Sequence, residues 1–382
     1  IAYVLAKDGR EVVLMDGEGI GSGSTGHGHG FVSLVGKDFR PGPHFELGRA
    51  GAAIFKEFAE MLEKDSGIDP MYHEHPGLAV AVIDEEEAIF RDAFQRIKSS
   101  GVEVKWIDGD EARSIEPRLS QEVRGGVLHW HGQVDGYRMS VCEAEALEKL
   151  GGRILLRRAT GLLRDGNRIV GVKYPGGEVH CDVVVLAMGA WVREAEEWID
   201  FPIPVRPLHG EVLNVHLPGP PLQAFIITAR HGPILQRKDG MVLVGSIGGV
   251  TMSGMDVDAK HVFDPNDPTP PVFDMDPNDE NAQLMIERGI RVMPSISEAD
   301  LVGHLAGVRP LSADRMPIIG FVPGMQGVIL ATGHGTKGIH LAPITARMVE
   351  DLVLYGENRQ PVPAAAFLPD RFADVRHSDA AS

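Results

Sequence analysis

Near its C-terminal end the chain reads Gly327-Val328-Ile329-Leu330-Ala331, then Gly333-His334-Gly335-Thr336-Lys337-Gly338, with a helical pattern following at once. Ile344, Met348, Val349 and Leu352 recur at helix spacing, Pro343 is tolerable in a first turn, and Gly356 is placed for a left-handed stop. A short apolar run thus feeds a glycine loop that opens a helix. Such a loop aims free backbone N–H groups and the positive end of the helix dipole at whatever lies above it, which favours an anion or an electron-rich ring. The loop alone leaves open a plain glycine-rich connection with no ligand.

Before it stand Gly303-His304-Leu305-Ala306-Gly307-Val308-Arg309-Pro310, Asp314 and the apolar run Met316 to Phe321. This order of pieces resembles the C-terminal flavin-binding segment of the FAD-dependent amino-acid oxidoreductases, the family of glycine oxidase, D-amino-acid oxidase and dehydrogenase, and sarcosine oxidase. The resemblance implies that Arg309 clamps the substrate carboxylate and that His334 and Lys337 stand on the reacting side of the flavin. It places Gly333, Gly335, Thr336, Gly338 and Ile339 against the ring. A local salt bridge to Asp314 is the competing explanation for Arg309.

With 382 residues and 43% hydrophobic content the chain suits two domains. A formal charge of −17 and a sequence pI near 5.4 argue against nucleic acid or an anionic membrane as main partner. No apolar run approaches membrane-spanning length. Two cysteines, Cys142 and Cys181, give neither a disulfide framework nor a metal spacing, which points to a reducing compartment. A cytoplasmic protein is expected, with a peripheral place at the inner membrane as the alternative.

At the N-terminal end, Ile1 to Lys7 reads as the end of a helix and Glu11 to Asp16 as a strand ending in an acid. In a dinucleotide-binding βαβ unit the acid that holds the ribose lies about 20 residues beyond the glycine fingerprint. Either the fingerprint precedes residue 1 or Asp16 merely ends an ordinary strand; the resemblance favours the first and gives Asp16 the ribose. Gly19 to Gly30 holds six glycines, a density that permits close approach of backbone to ligand. By resemblance this loop runs beside the FAD, with Ser24, Thr25 and Gly30 as contacts. His27 with His29, His73 with His75 and His129 with His131 have chelating spacing, but each pair lacks an obvious third ligand, and no metal is expected.

Helices are expected over 45–62, 85–99 and 139–150, and strands over 77–83, 102–107 and 153–157. A hairpin over 159–172 turns at Asp165-Gly166-Asn167, and the buried strand 182–187 ends in Met188-Gly189-Ala190-Trp191. The family carries Ala-x-Gly-Ala-Trp at this strand end close to the FAD, which implies Ala187, Gly189 and Trp191 as contacts, and it meets the adenine near Ala159. Residues 202–296 read mainly as strands, with a surface insertion at 252–280 rich in Asp and Pro. His209 stands where the family commonly has Arg, and His231 lies near where glycine oxidase has a Tyr. Tyr137 and Arg138 suit either substrate contact or helix capping, and the chain after Pro361 is expected to fray.

The resemblance implies an α/β fold: a Rossmann-like FAD-binding domain from segments 1–35, 140–200 and 300–360, interleaved with an α+β substrate domain of mainly antiparallel strands from 36–139 and 201–299. The tail is 361–382. It further implies non-covalent FAD, since neither cysteine matches the flavin attachment of sarcosine-type relatives. The expected activity is oxidation of an amino acid at its C–N bond, with oxygen or a quinone or other electron carrier as acceptor and a homo- or hetero-oligomer as the working form. A non-catalytic or electron-transfer flavoprotein subunit of a larger amine dehydrogenase complex is the alternative.

Overall fold

A computed structural model describes residues 1–35, 41–247, 262–267 and 269–375. Its largest element is a nine-stranded sheet, ordered Asp300–Ser312, Val205–His216, Val242–Ile247, Ile234–Gln236, Phe225–Ile227, His73–Ala81, Gly125–Gln133 and Phe31–Val32, with Lys105–Asp108 also on Gly125–Gln133. Its strand pairs are antiparallel apart from the parallel pair of Phe225–Ile227 with His73–Ala81. Two small sheets hold parallel pairs. Val13–Asp16 lies beside Arg153–Leu156, and Val184–Leu186 lies beside Val328–Thr332, which also pairs antiparallel with Ile318–Phe321. A meander of Gly161–Asp165, Arg168–Tyr174 and Gly177–His180 completes the strands.

Val328–Thr332 is buried along its whole length, as expected for a strand read as one apolar run. The long helix Pro43–Ser66 crosses the final helix Gly338–Tyr355 at Gly51, where an added Cβ would lie 2.9 Å from the His340 carbonyl oxygen. Glycine therefore sets how close the two helices come. Leu47, Leu341, Ile344, Met348 and Phe367 fill the core beside them.

Three expectations need correction. Pro343 lies inside the final helix rather than in its first turn, because the helix already begins at Gly338; its ring leaves the Ile339 carbonyl without the usual donor four residues on. The tail does not fray at Pro361: Phe367 and Phe372 are buried, and Arg371 makes a two-point contact with Asp314 at 2.7 and 3.2 Å and donates to the Met316 and Pro317 carbonyls. Residues 202–296 include a helix, Asp279–Val292, whose N-cap Asn278 accepts from the Glu280 and Asn281 N–H groups. The strand Asp300–Ser312 pairs along its length with Val205–His216 in the large sheet. Of the expected insertion at 252–280, residues 252–261 and 268 fall outside the described residues, and its end, Asp279 and Glu280, opens the helix Asp279–Val292. Among the described residues no helix is long and apolar enough to cross a membrane.

Candidate active site

A cleft of about 990 Å³ opens where the glycine loop 19–30, the turn 333–338 and one end of the large sheet meet. The glycine loop is folded tightly on its neighbours. A Cβ on Gly30 would lie 1.6 Å from the Val134 carbonyl oxygen, and one on Gly26 would lie 2.1 Å from that of Gly21. This packing leaves the loop little freedom, and Ser24, Thr25, Gly28, His29 and Gly30 border the cleft.

Opposite, Ala187 and Gly189 follow the strand Val184–Leu186, and Thr332 donates its hydroxyl to the Gly189 carbonyl at 2.9 Å. Gly335, Thr336, Gly338 and Ile339 border the cleft at the start of the final helix, beside His334 and Lys337. Gly189 and Gly335 have φ of 57° and 53°, a region that side chains resist, and nothing lies within 3.5 Å of a Cβ built there. The backbone can thus approach a flat ligand closely. Burial lowers the His334 pKa to about 4, so the ring is neutral at pH 7, with Nε2 3.0 Å from Thr345 Oγ1. His29 is also lowered to about 4, mainly by burial, and its Nε2 lies 2.6 Å from the Gly245 carbonyl oxygen.

The cleft floor carries Arg309, on the strand Asp300–Ser312. Its Nη1 donates to the His209 carbonyl at 3.1 Å and its Nη2 to Ser246 Oγ at 3.2 Å. Desolvation lowers its pKa to about 10, which leaves it charged at neutral pH. Asp314, the competing partner, is held by Arg371. No carboxylate forms an ion pair with Arg309 among the described residues. Its guanidinium lies across Gly210, where an added Cβ would stand 1.9 Å from Nη1.

The four remaining sequence-predicted residues do not border this cleft. Asp16 ends its strand opposite Leu156, and its Oδ1 accepts from the Glu18 and Gly19 N–H groups at 2.9 and 2.8 Å. Ala159 follows the partner strand Arg153–Leu156, Trp191 stacks on Phe273 with ring centroids 5.1 Å apart, and Gly333 has φ of 76° at the turn. His231 is buried against Glu86, Nδ1 to Oε1 3.0 Å, and is not in the cleft. His209 points its ring to Glu211 Oε1 at 2.7 Å and the Asp274 carbonyl at 2.8 Å. Although burial opposes its charge, these contacts hold His209 above its ordinary pKa. Arg138 donates its N–H to Asp135 and its Nε to the Asp69 carbonyl, a capping role, and neither it nor Tyr137 borders the cleft. Of the paired histidines, His27 Nδ1 meets the Gly23 carbonyl, His73 those of Met71 and Gln236, and His129 that of Glu103, while His73 and His75, and likewise His129 and His131, lie edge to face with ring centroids 5.2 Å apart.

Sequence reasoning missed His29 as a cleft residue and missed Ser246, Thr228 and Gly210 altogether. The motif order gives no signal for them, because each reaches the site through sheet register or a loop crossing.

A helix opened by a glycine turn, a second glycine loop facing it and a half-buried arginine without a described carboxylate partner frame a cleft of the kind that holds a nucleotide cofactor. Residues 1–352 match the family described as FAD dependent oxidoreductase, and the chain belongs to that family. It is an enzyme whose cofactor is FAD. It is similar to glycine oxidase from Geobacillus kaustophilus, 25% identical over 355 residues that cover 92% of this chain and 89% of that one. Hydrogen cyanide synthase subunit HcnC from Pseudomonas aeruginosa is 30% identical over 339 residues, 87% of this chain and 75% of that one. The crystal structure of the Geobacillus kaustophilus glycine oxidase superposes with a TM-score of 0.86 at 24% identity, covering 99% of this chain and 95% of that one.

Proposed function

We propose that this chain oxidises the C–N bond of an amino acid, whether a D-amino acid, glycine or an N-substituted amino acid, to an imino acid that water hydrolyses to a keto acid and an amine. The observation that carries this reading is the half-buried Arg309 guanidinium, charged and without a carboxylate partner among the described residues, on the floor of the cleft. When bound, FAD accepts the hydride leaving Cα. Arg309 supplies two-point recognition of the substrate carboxylate and so fixes where Cα–H points. Ser246 and the His209 carbonyl hold the guanidinium in place. The turn 333–338 and the first N–H groups of the final helix supply positive potential to a ring that gains charge. His29 and His334, neutral at pH 7, add no competing charge.

In this reading 1–35, 140–200 and 300–360 form the FAD-binding unit and 36–139 with 201–299 the substrate unit, the strand Asp300–Ser312 serving both. FAD is held non-covalently, since Cys142 is buried and neither cysteine borders the cleft. A second reading, an electron-transferring subunit of a larger amine dehydrogenase complex, draws on the similarity to HcnC.

The test is the visible spectrum of the FAD-loaded protein, followed anaerobically on adding D-amino acids, glycine and N-methyl amino acids. Bleaching that Arg309→Ala abolishes supports the proposal. Equal bleaching in Arg309→Ala overturns the carboxylate clamp. Flavin that no amino acid reduces favours the subunit reading.

A further inference from the structure

Three arginines border the cleft beside the strand that carries Gly245–Ser246, and the proposed reading uses only one. Arg309 reaches Ser246 Oγ from the floor. Arg230 sits on the turn after the strand Phe225–Ile227; within that turn Gly232 is so close that an added Cβ would lie 2.8 Å from Gly245 Cα and 2.9 Å from the Ser246 nitrogen. Arg288 comes from the helix Asp279–Val292, which is pressed on the same strand: Met285 covers Gly245, with Cγ 2.6 Å from where its Cβ would be, and Gly289 packs on Val244. All three arginines border the one cleft.

Their partners differ. Arg96, which also borders the cleft, is matched by Asp92. Arg230 meets Glu85 at 3.6 Å, but both side chains are more than half exposed, at 57% and 68%, so water screens the pair and Arg230 is available to another anion. The turn that carries it is nonetheless fixed, because the Arg230 N–H donates to the buried Glu86 at 3.0 Å. Arg288 is half-buried and makes no hydrogen bond or ion pair with another described residue. Like charges gathered at one rim repel unless an anion lies between them. Among the described residues the carboxylates that border the cleft are Asp92, which pairs with Arg96, and Glu143, which faces the Ile1 amine; neither is paired with Arg288.

We infer that Arg288 and Arg230 form a second anion subsite, and that the substrate is an amino acid with a second carboxylate, on its side chain or on its nitrogen substituent. This rests on the proposed amino-acid reading, in which Arg309 takes the first carboxylate. A neutral amino acid fills only the inner position. A dicarboxylic one spans both and brings a counter-charge to the rim.

Isothermal titration of the FAD-loaded chain with two unreactive probes, glutarate and butyrate, separates the two claims. Glutarate should bind about tenfold more tightly than butyrate, the gain of one charge-assisted hydrogen bond or more. In Arg288→Gln that ratio should collapse toward one, Arg288→Lys should restore much of it, and Arg309→Ala should weaken both probes. Equal affinity of the native protein for both probes overturns the second subsite and leaves the Arg309 clamp standing. A ratio that survives in both Arg288→Gln and Arg230→Gln also overturns it. If neither probe binds the native protein, the clamp and the subsite fall together.

Discussion

Arg309 owes its position to a neighbour with no side chain. Gly210 gives up the volume that the guanidinium occupies, so Gly210→Ala should push Arg309 aside while leaving the flavin loops intact. Carboxylate binding is expected to weaken by at least about tenfold, the order of one lost charge-assisted hydrogen bond, at unchanged flavin content. Titration with butyrate beside a flavin absorbance ratio reads both, and unaltered binding would refute the role of Gly210. The arginine itself was legible in the sequence, through the order Gly-Val-Arg-Pro ahead of the glycine turn. What excludes its competing partner was not: Asp314 is taken by Arg371, 57 residues downstream, and nothing local announces that pairing. The histidine pairs teach the same point from the other side. His27 and His29 share a spacing that permits chelation, yet each ring turns to a different backbone carbonyl, one on its own loop and one in a distant strand.

Among elements, the strand–glycine turn–helix unit at 328–355 could be read directly, because its apolar run, its glycines and its stop are all local signals. The helix Asp279–Val292 was obscured by the acidic, proline-rich stretch before it, although Asn278 followed by Asp279 and Glu280 is an adequate start signal. Composition misleads about the tail. Its alanines and charges suggest fraying, but two phenylalanines give it an apolar anchor on the sheet that contains Ile318–Phe321. Phe372 is 2% exposed, and Phe372→Ala should cost about 3–5 kcal/mol. Chemical denaturation measures this, and a loss under about 1 kcal/mol, the level of a surface change, would restore the frayed tail.

For the molecule as a whole, pH is the most direct probe of how the cleft is buried. His29, His44 and His334 are lowered to about 4 and His340 to about 3, in each case chiefly by burial. The folded protein keeps these rings neutral, while the unfolded chain takes up protons below about 6.5. Their contribution is therefore fully present above that pH and is lost as pH falls from about 6.5 toward 4, by roughly 1 kcal/mol for each ring at pH 5.5. Urea midpoints at pH 7.5 and 5.5 should fall in that order, and a midpoint that rises on acidification would contradict the burial. The parallel strands and the alternation of helix and strand were open to sequence reading. The membership of Asp300–Ser312 in the large sheet was not, since pairing partners almost a hundred residues apart leave no local trace.

That strand sets a rule for how such a chain can change length over evolution. From Gly303 to Ser312 it pairs with Val205–Asn214 in unbroken register, and its irregularity lies at the other end, where Val302 is passed over between Leu301 and Gly303. An inserted residue before Val302 meets slack that already exists. One inserted between Leu305 and Arg309 would turn the guanidinium to the opposite face of the sheet, because side chains alternate with a period of two. Between Leu305 and Arg309 this stretch works as a gauge that admits no added length.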